Sequence, residues 1–299
     1  MTRDDVGVLK SPSRSWRSLF KSSLFRNSLF GKSGFPHSPI QEREAAPALT
    51  DPLHCDTPRL RDAEIAAVYS GQRVAGDFYE FLRVGPSRML FVLLDIAGLR
   101  ADTREILIAV QDTFRTLAPK LFAEEDFNET TAMIELCQEL NRTIMRARLR
   151  SCPAFIGCYN EDLGTVCYAN AGHPPGLLRD HTGITLLEAT GLPLGLFSHA
   201  PQSAAACHLL PGAALLAVSR GIVEAERSAD NRPDNLRDHQ VAEFGIDGVR
   251  KSLRDATVTG ARDLCITMLL EARRFMPVIP TKNDLTALAL LRNPSPGEG

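Results

Sequence analysis

What most constrains this chain is the order in which two kinds of periodicity follow one another. Three strand-like runs come first: "AEIAAVYSG" (63–71), "GDFYEFLRV" (76–84) and "RMLFVLLDIAG" (88–98). Two stretches with apolar residues at helical spacing follow, "REILIAVQDTFRTLAPKLF" (104–122) and "TAMIELCQELNRTIMRA" (131–147). "AFIGCYNEDLGTVCYANAG" (154–172) reads as a hairpin, two β-rich runs about Asn-Glu-Asp-Leu-Gly. "GITLLEAT" and "CHLLPGAALLAVSR" are further strands, "FGIDGVRKSLRDA" and "GARDLCITMLLEARRFM" two more helices, and "DLTALALLR" a closing strand. Strands and helices thus come in blocks. That order disfavours a βαβ parallel sheet and predicts a sheet-on-sheet core flanked by helix pairs, an α+β fold. "RMLFVLLDIAG" is expected to be buried on both faces and to end in a carboxylate and a glycine.

The first 56 residues follow neither period. Ser-Leu-Phe recurs at 18–20, 23–25 and 28–30, and a spacing of five scatters the apolar residues around a helical wheel. A proline-rich polar stretch, "PHSPIQEREAAPALTDP", comes next. We expect a basic Ser/Phe/Pro-rich tail over 1–56, disordered, one globular domain over 57–292 and a flexible C-terminus over 293–299. The sharper reading of the tail is a basic-aromatic segment that makes weak contact with an anionic membrane surface or a partner.

Bulk properties narrow the function classes. A net charge of −2 over 299 residues argues against generalised nucleic-acid binding. No apolar stretch reaches about 18 residues, so no transmembrane helix is expected, and the basic N-terminus lacks the apolar core of a secretory signal. Seven cysteines without a C-x-x-C pair read as core thiols in a reducing cytoplasm, and no zinc site is supported.

Chemistry concentrates at strand ends. Asp77 lies in "VAGDFYEF", Asp95 ends "LFVLLDIAG", and Asp284 opens the last strand in "KNDLT". An unpaired buried charge costs several kcal/mol, so each acid must be compensated. Alone, each is explained by a turn cap or an arginine partner. Together, with glycine turns, they suit a hard divalent cation that prefers oxygen ligands. In "GAALLAVSRGIVEA" (212–225), however, a permanent cation, Arg220, stands at the lip of a buried strand beside Gly221.

Seven blocks in order, "VAGDFYEF", "LLDIAG", "YANAGHPPGLL", "TGLPLGLF", "LLPGAALLAVSRGIVEA", "FGIDGVRKSL" and "NDLTALALLR", resemble the PPM metal-dependent serine/threonine phosphatases of the SpoIIE/RsbU branch. The resemblance covers about residues 56–292. It implies an α-β-β-α sandwich of two antiparallel sheets with helix pairs outside. It also implies two Mn²⁺ or Mg²⁺ ions at one end, activating a hydroxide-like nucleophile against phosphoserine or phosphothreonine. The implied substrate is a phosphoprotein such as an anti-anti-sigma-type regulator in bacterial signalling.

Carried over residue by residue, the resemblance makes Asp77 and Asp95 catalytic and metal-binding, with the Ile96 backbone carbonyl as an additional ligand and Gly98 close by. Ala75, Leu99 and Arg100 depart from the family's pattern around them. Two acids are replaced. The family's threonine-aspartate-glycine is Ser219-Arg220-Gly221 here, and the ligand position before the last strand is Asn283. Asp284 stands beside it, and strand alternation counted from Asn283 turns it the other way.

Charge arithmetic decides what this does. Arg for Asp makes the site two units more positive, and Asn for Asp one unit. At ~4 Å and an effective dielectric of ~20, each unit pair is worth about 4 kcal/mol. A second divalent ion would be repelled by Arg220, so at most one ion is expected, or none. Arg220 reads as a tethered substitute for that ion, facing Asp77 and Asp95; the bland alternative is a solvent-facing arginine in a decayed site. The expected function is a weakened or inactive phosphatase, a pseudophosphatase acting as a regulatory binding module. The rivals are an active Mn/Mg-dependent protein serine/threonine phosphatase and a scaffold that assembles through the tail. His173 in "AGHPP" is read as a turn organiser, and 226–240 as a surface insertion near the site.

Overall fold

The computed structural model describes residues 57–70, 76–96, 100–123, 127–147, 151–227, 242–276 and 284–294. The tail, Ala75, Gly98, Leu99, Asn283, most of the 226–240 insertion and residues 295–299 of the C-terminal segment lie outside them.

Two five-stranded antiparallel sheets form the centre. The first has the order β1-β12-β9-β6-β7: β1 (Ala63–Ser70), β12 (Leu285–Arg292), β9 (Ala214–Val218), β6 (Gly176–Asp180) and β7 (Gly183–Leu187). The second runs β2-β3-β4-β5-β8: β2 (Gly76–Val84), β3 (Arg88–Ile96), β4 (Ala154–Asn160), β5 (Thr165–Ala171) and β8 (Ala205–His208). Helices α1 (Arg100–Phe122) and α2 (Glu129–Arg146) cover the second sheet. Helices α4 (Gly245–Asp255) and α5 (Ala261–Phe275) belong to the first, where α5 packs on β1 and β12. A single helical turn, α3 (Arg220–Val223), follows β9, and a short ladder pairs β10 (Glu226–Arg227) with β11 (Ala242–Glu243). This is the α-β-β-α sandwich implied above.

The layers follow from the periodicities. Along β3, Leu90, Val92 and Leu94 face the α1–α2 side, whereas Met89, Phe91 and Leu93 fill the gap between the sheets. All six are fully buried, which is why this strand carries no polar face. In β12 the alternation is one of size. Ala287 and Ala289 lie under α5, and Leu288 and Leu290 point into the inter-sheet gap. Helix α1 buries Leu107, Val110, Phe114, Ala118 and Phe122, a stripe at three- and four-residue spacing. Asn128 caps α2 by accepting from the Thr131 amide at 3.0 Å, with Glu129 in the first turn.

The run "CHLLPGAALLAVSR" holds two strands in different sheets. Between β8 and β9 the chain turns at Leu210–Ala213, where Gly212 takes a φ of 75° that favours glycine. The turn carries the chain from one sheet to the other. Strand β6 was legible only inside the block "YANAGHPPGLL", because its five residues follow two prolines. The described cysteines are core thiols: Cys137, Cys152, Cys158, Cys167 and Cys265 are buried, and Cys207 is partly so.

Candidate functional site

Asp77 and Asp95 are directly opposite each other across the β2–β3 pair. Alternation places Asp77 on the side of Tyr79 and Phe81, and Asp95 on the side of Phe91 and Leu93, so both face the inter-sheet gap. Both are buried, with 7% of each residue exposed. Gly76, next to Asp77, pairs with Ile96, and a side chain there would overlap the Ile96 carbonyl oxygen. Glycine is what lets the two strands close at this end.

The other sheet supplies the partners. Ser219 follows β9, and its amide donates to the Thr286 carbonyl at 2.9 Å. Its hydroxyl accepts from the Thr286 amide at 3.0 Å. Thr286 Oγ1 then donates across the gap to Asp77 Oδ2 at 2.6 Å. Arg220 opens the α3 turn and donates from Nε to Asp95 Oδ2 at 2.6 Å. The side chain of Asp95 is 9% exposed and that of Arg220 33%, so the pair is sealed on one side and open to water on the other.

Each acid has its own hydrogen-bond partner. Arg220 was expected to face both aspartates; among the described residues it hydrogen-bonds Asp95, the charge of Asp77 also acts on it, and Asp77 is held by Thr286. Burial, and then the charge of Asp95, push the Asp77 carboxyl up to about 7, against hydrogen bonds from Thr286 and Ser219 that pull it down. For Arg220, burial opposes the charge, and attraction to Asp95, with Glu224 and Asp77 adding to it, more than offsets it, so its pKa is raised. Near neutral pH, then, Asp77 is a proton-exchanging carboxyl beside a fixed ion pair.

Asp284 lies nearer than expected. It is buried, and its charge adds to the rise at Asp77. Counted from Thr286, whose side chain is seen bonded in the gap, alternation brings Asp284 to the same side. Gly221 is buried in the α3 turn, and Ile96 ends β3 beside Gly76. Sequence reasoning missed Ser219 and Thr286 as the groups that hold Asp77. The signal was available in "NDLT", where Thr286 falls two residues beyond an acid and so shares its strand face.

His173 lies in the turn after β5, which the Asn170 side chain ties together. Its amide donates to Asn170 Oδ1 at 2.9 Å, and its ring packs edge-on against Phe155. Burial pushes its pKa down to about 4, so the imidazole is neutral.

A family model described as stage II sporulation protein E, SpoIIE, matches residues 85–293, more than two thirds of the chain. The chain belongs to the SpoIIE family. Among curated relatives of this SpoIIE-family chain is the phosphoserine phosphatase RsbP of Bacillus subtilis (strain 168). It is 23% identical over 201 residues, covering 64% of this chain and 46% of RsbP. The chain thus spans about half the length of that relative. Among solved structures, the RsbU and RsbW domains of Rv1364c from Mycobacterium tuberculosis match with a TM-score of 0.60 at 22% identity, over 82% of this chain and 63% of that one. The PP2C phosphatase domain of SpoIIE from Bacillus subtilis, with a fragment of its regulatory domain, matches with a TM-score of 0.59 at 15% identity, over 78% and 63%. At these identities the structures speak for the fold alone.

SpoIIE-family phosphatases depend on Mg²⁺ or Mn²⁺. Among the described residues, the two acids of the site are already engaged by other partners. Asp95 Oδ2 is engaged by a guanidinium at 2.6 Å, and Asp77 Oδ2 by a hydroxyl at the same distance. Among the described residues no group of three or more His, Cys, Asp or Glu side chains is arranged to hold a metal ion. Nor, among them, is any helix long and apolar enough to cross a membrane.

Proposed function

We propose that this SpoIIE-family domain is a pseudophosphatase, a regulatory binding module of bacterial signalling in which Arg220 replaces the second metal ion. The observation that carries this reading is the Arg220 Nε–Asp95 Oδ2 bond at 2.6 Å, which puts a permanent cation on the acid that would bridge two metals. Asp77 and Asp95 keep the family's positions, and with the Ile96 carbonyl they would hold at most one Mg²⁺ or Mn²⁺. A guanidinium supplies charge but cannot lower the pKa of a bound water as a divalent ion does, so the activation that two ions would supply together is not reproduced. The fold, with its phosphatase-type framework, suits docking of a phosphoprotein or an anti-anti-sigma-like protein. We place the domain over 57–292, in the cytoplasm, with 1–56 as an appended tail.

The test is Mn²⁺ calorimetry on the full chain together with turnover of a phosphoserine peptide. We expect hydrolysis at background with Mn²⁺ present. Turnover in the ordinary range of ~1–10³ s⁻¹, abolished by Asp95→Asn, would overturn the proposal in favour of an active metal-dependent phosphatase.

A further inference from the structure

A second charged feature lies away from the ion pair, at the far end of the first sheet. The β6–β7 hairpin and α4 enclose an open cleft of about 620 Å³, whose lining includes Arg179, Asp180, His181, Thr182, Arg250 and Arg254. Arg179 pairs in register with Ala214, the first residue of β9, whereas Arg220 follows the last. At strand rise that separates the two places by roughly 20 Å.

The cleft holds three arginines against one acid. Arg179 is half-buried, and its Nη1 donates to the Leu253 and Ala256 carbonyls at 2.7 and 3.0 Å, at the C-terminal end of α4. Those bonds orient the guanidinium at the negative end of the helix, which offsets its charge only in part. Burial lowers its pKa, with no carboxylate working the other way. The acid in the lining, Asp180, is turned to its own hairpin, accepting from the Thr182 amide and hydroxyl at 2.7 and 2.6 Å. Arg250 and Arg254 stand one turn apart on the same face of α4, and among the described residues neither makes an ion pair or a side-chain hydrogen bond. Like charges at this spacing oppose the helix; Arg254 is exposed and Arg250 partly so, and the charge partly taken out of water is that of Arg179. Asp247 and Asp255 lie on α4 too, but outside the lining.

An anion would relieve the like-charge repulsion on α4 and give the partly buried Arg179 a counter-charge. A phosphate monoester carries about −1.5 to −2 charges near neutral pH and three acceptor oxygens, against one charge for a carboxylate. Guanidinium forks match phosphate geometry and bind it bidentately. We propose that the cleft between the β6–β7 hairpin and α4 is a metal-independent binding site for a phosphate monoester. It is separate from the aspartate–arginine site and does not depend on whether that site is active.

The experiment is calorimetry on the full chain with EDTA present. The probes are inorganic phosphate, a phosphoserine peptide and the same peptide unphosphorylated. We expect saturable one-site binding of a phosphorylated probe. The surface variant Arg250→Glu/Arg254→Glu should weaken it by at least about tenfold, with its melting curve showing that it is folded. Arg220→Ala, measured well below its melting point, should leave binding intact. Equal affinity for phosphate and phosphopeptide would mark a small phosphorylated ligand, and a clear preference for the peptide a phosphorylated protein segment. Absence of saturable binding, binding that survives Arg250→Glu/Arg254→Glu, or binding lost only with Arg220→Ala would each overturn the proposal.

Discussion

Replacing Arg220 by alanine tests the centre of this molecule directly. The guanidinium is bonded to Asp95 Oδ2 at 2.6 Å, and the Asp95 side chain is only 9% exposed. Removing the arginine leaves Asp95 facing Asp77 across the β2–β3 pair, with no cation from α3 between them. Breaking a buried pair by removing one partner costs about 3–5 kcal/mol. A third of the Arg220 side chain is in water, which screens the pair, so the lower end of about 3 kcal/mol is the better figure. For a domain of this size each kcal/mol moves the midpoint by roughly 2–4 °C, so a loss of about 6–12 °C is expected in thermal unfolding. Added Mn²⁺ or Mg²⁺ should restore part of it, because a cation can now enter beside the freed carboxylates. The double variant Arg220→Asp/Asn283→Asp should gain more from Mn²⁺, since it supplies four acids. The readout is circular dichroism melting of the wild type and both variants, with and without metal. If Arg220→Ala melts with the wild type and neither variant responds to Mn²⁺, the arginine is not standing in for an ion.

Two further outcomes follow from the same geometry. Asp77 titrates near 7 in the fold against an ordinary value near 4, so it favours the folded state when protonated and that contribution is lost as pH rises from about 4 to 7, by roughly 4 kcal/mol. His173, at about 4 in the fold, works in the opposite direction: its contribution is present above about 6.5 and is lost as pH falls toward 4. Asp77→Asn should therefore be more stable than the wild type at pH 7.5 and lose stability from pH 6.5 to 4.5 more steeply, read by urea unfolding; parallel pH profiles would refute it. Gly76→Ala should lower the urea midpoint by the equivalent of ~1–3 kcal/mol, because its methyl group meets the carbonyl oxygen and Cβ of Ile96, atoms that cannot rotate aside; an unchanged midpoint would show that β2 and β3 can part there.

Much of the fold was legible in one dimension, because the informative signals are local. Met89–Leu94 reads as a doubly buried strand, and Leu107–Phe122 as a helix stripe, from neighbours a few residues away. The blocks of strands and helices then leave few architectures besides a sandwich with helices outside. The candidate acids were legible too, since a carboxylate at the end of an apolar strand is conspicuous wherever the chain goes. What those acids bind to was not. The Arg220–Asp95 bond joins residues 125 apart, and the Thr286–Asp77 bond residues 209 apart. Two sheets must stack before either partner can be chosen. Sequence reasoning placed Arg220 against both acids, and the stacked sheets give its hydrogen bond to Asp95 while the charge of Asp77 still acts on it. That choice leaves Asp77 dry, with a second acid opposite it and a hydroxyl for a partner, which is why its carboxyl titrates so high. The cleft at the other end has the same origin. Arg179 and Arg254 are unremarkable charges in sequence, and they become one site because α4 ends where the β6–β7 hairpin turns. Composition and periodicity set which residues are inside; the path of the chain decides which charges meet there, because electrostatic partners are chosen by distance in space.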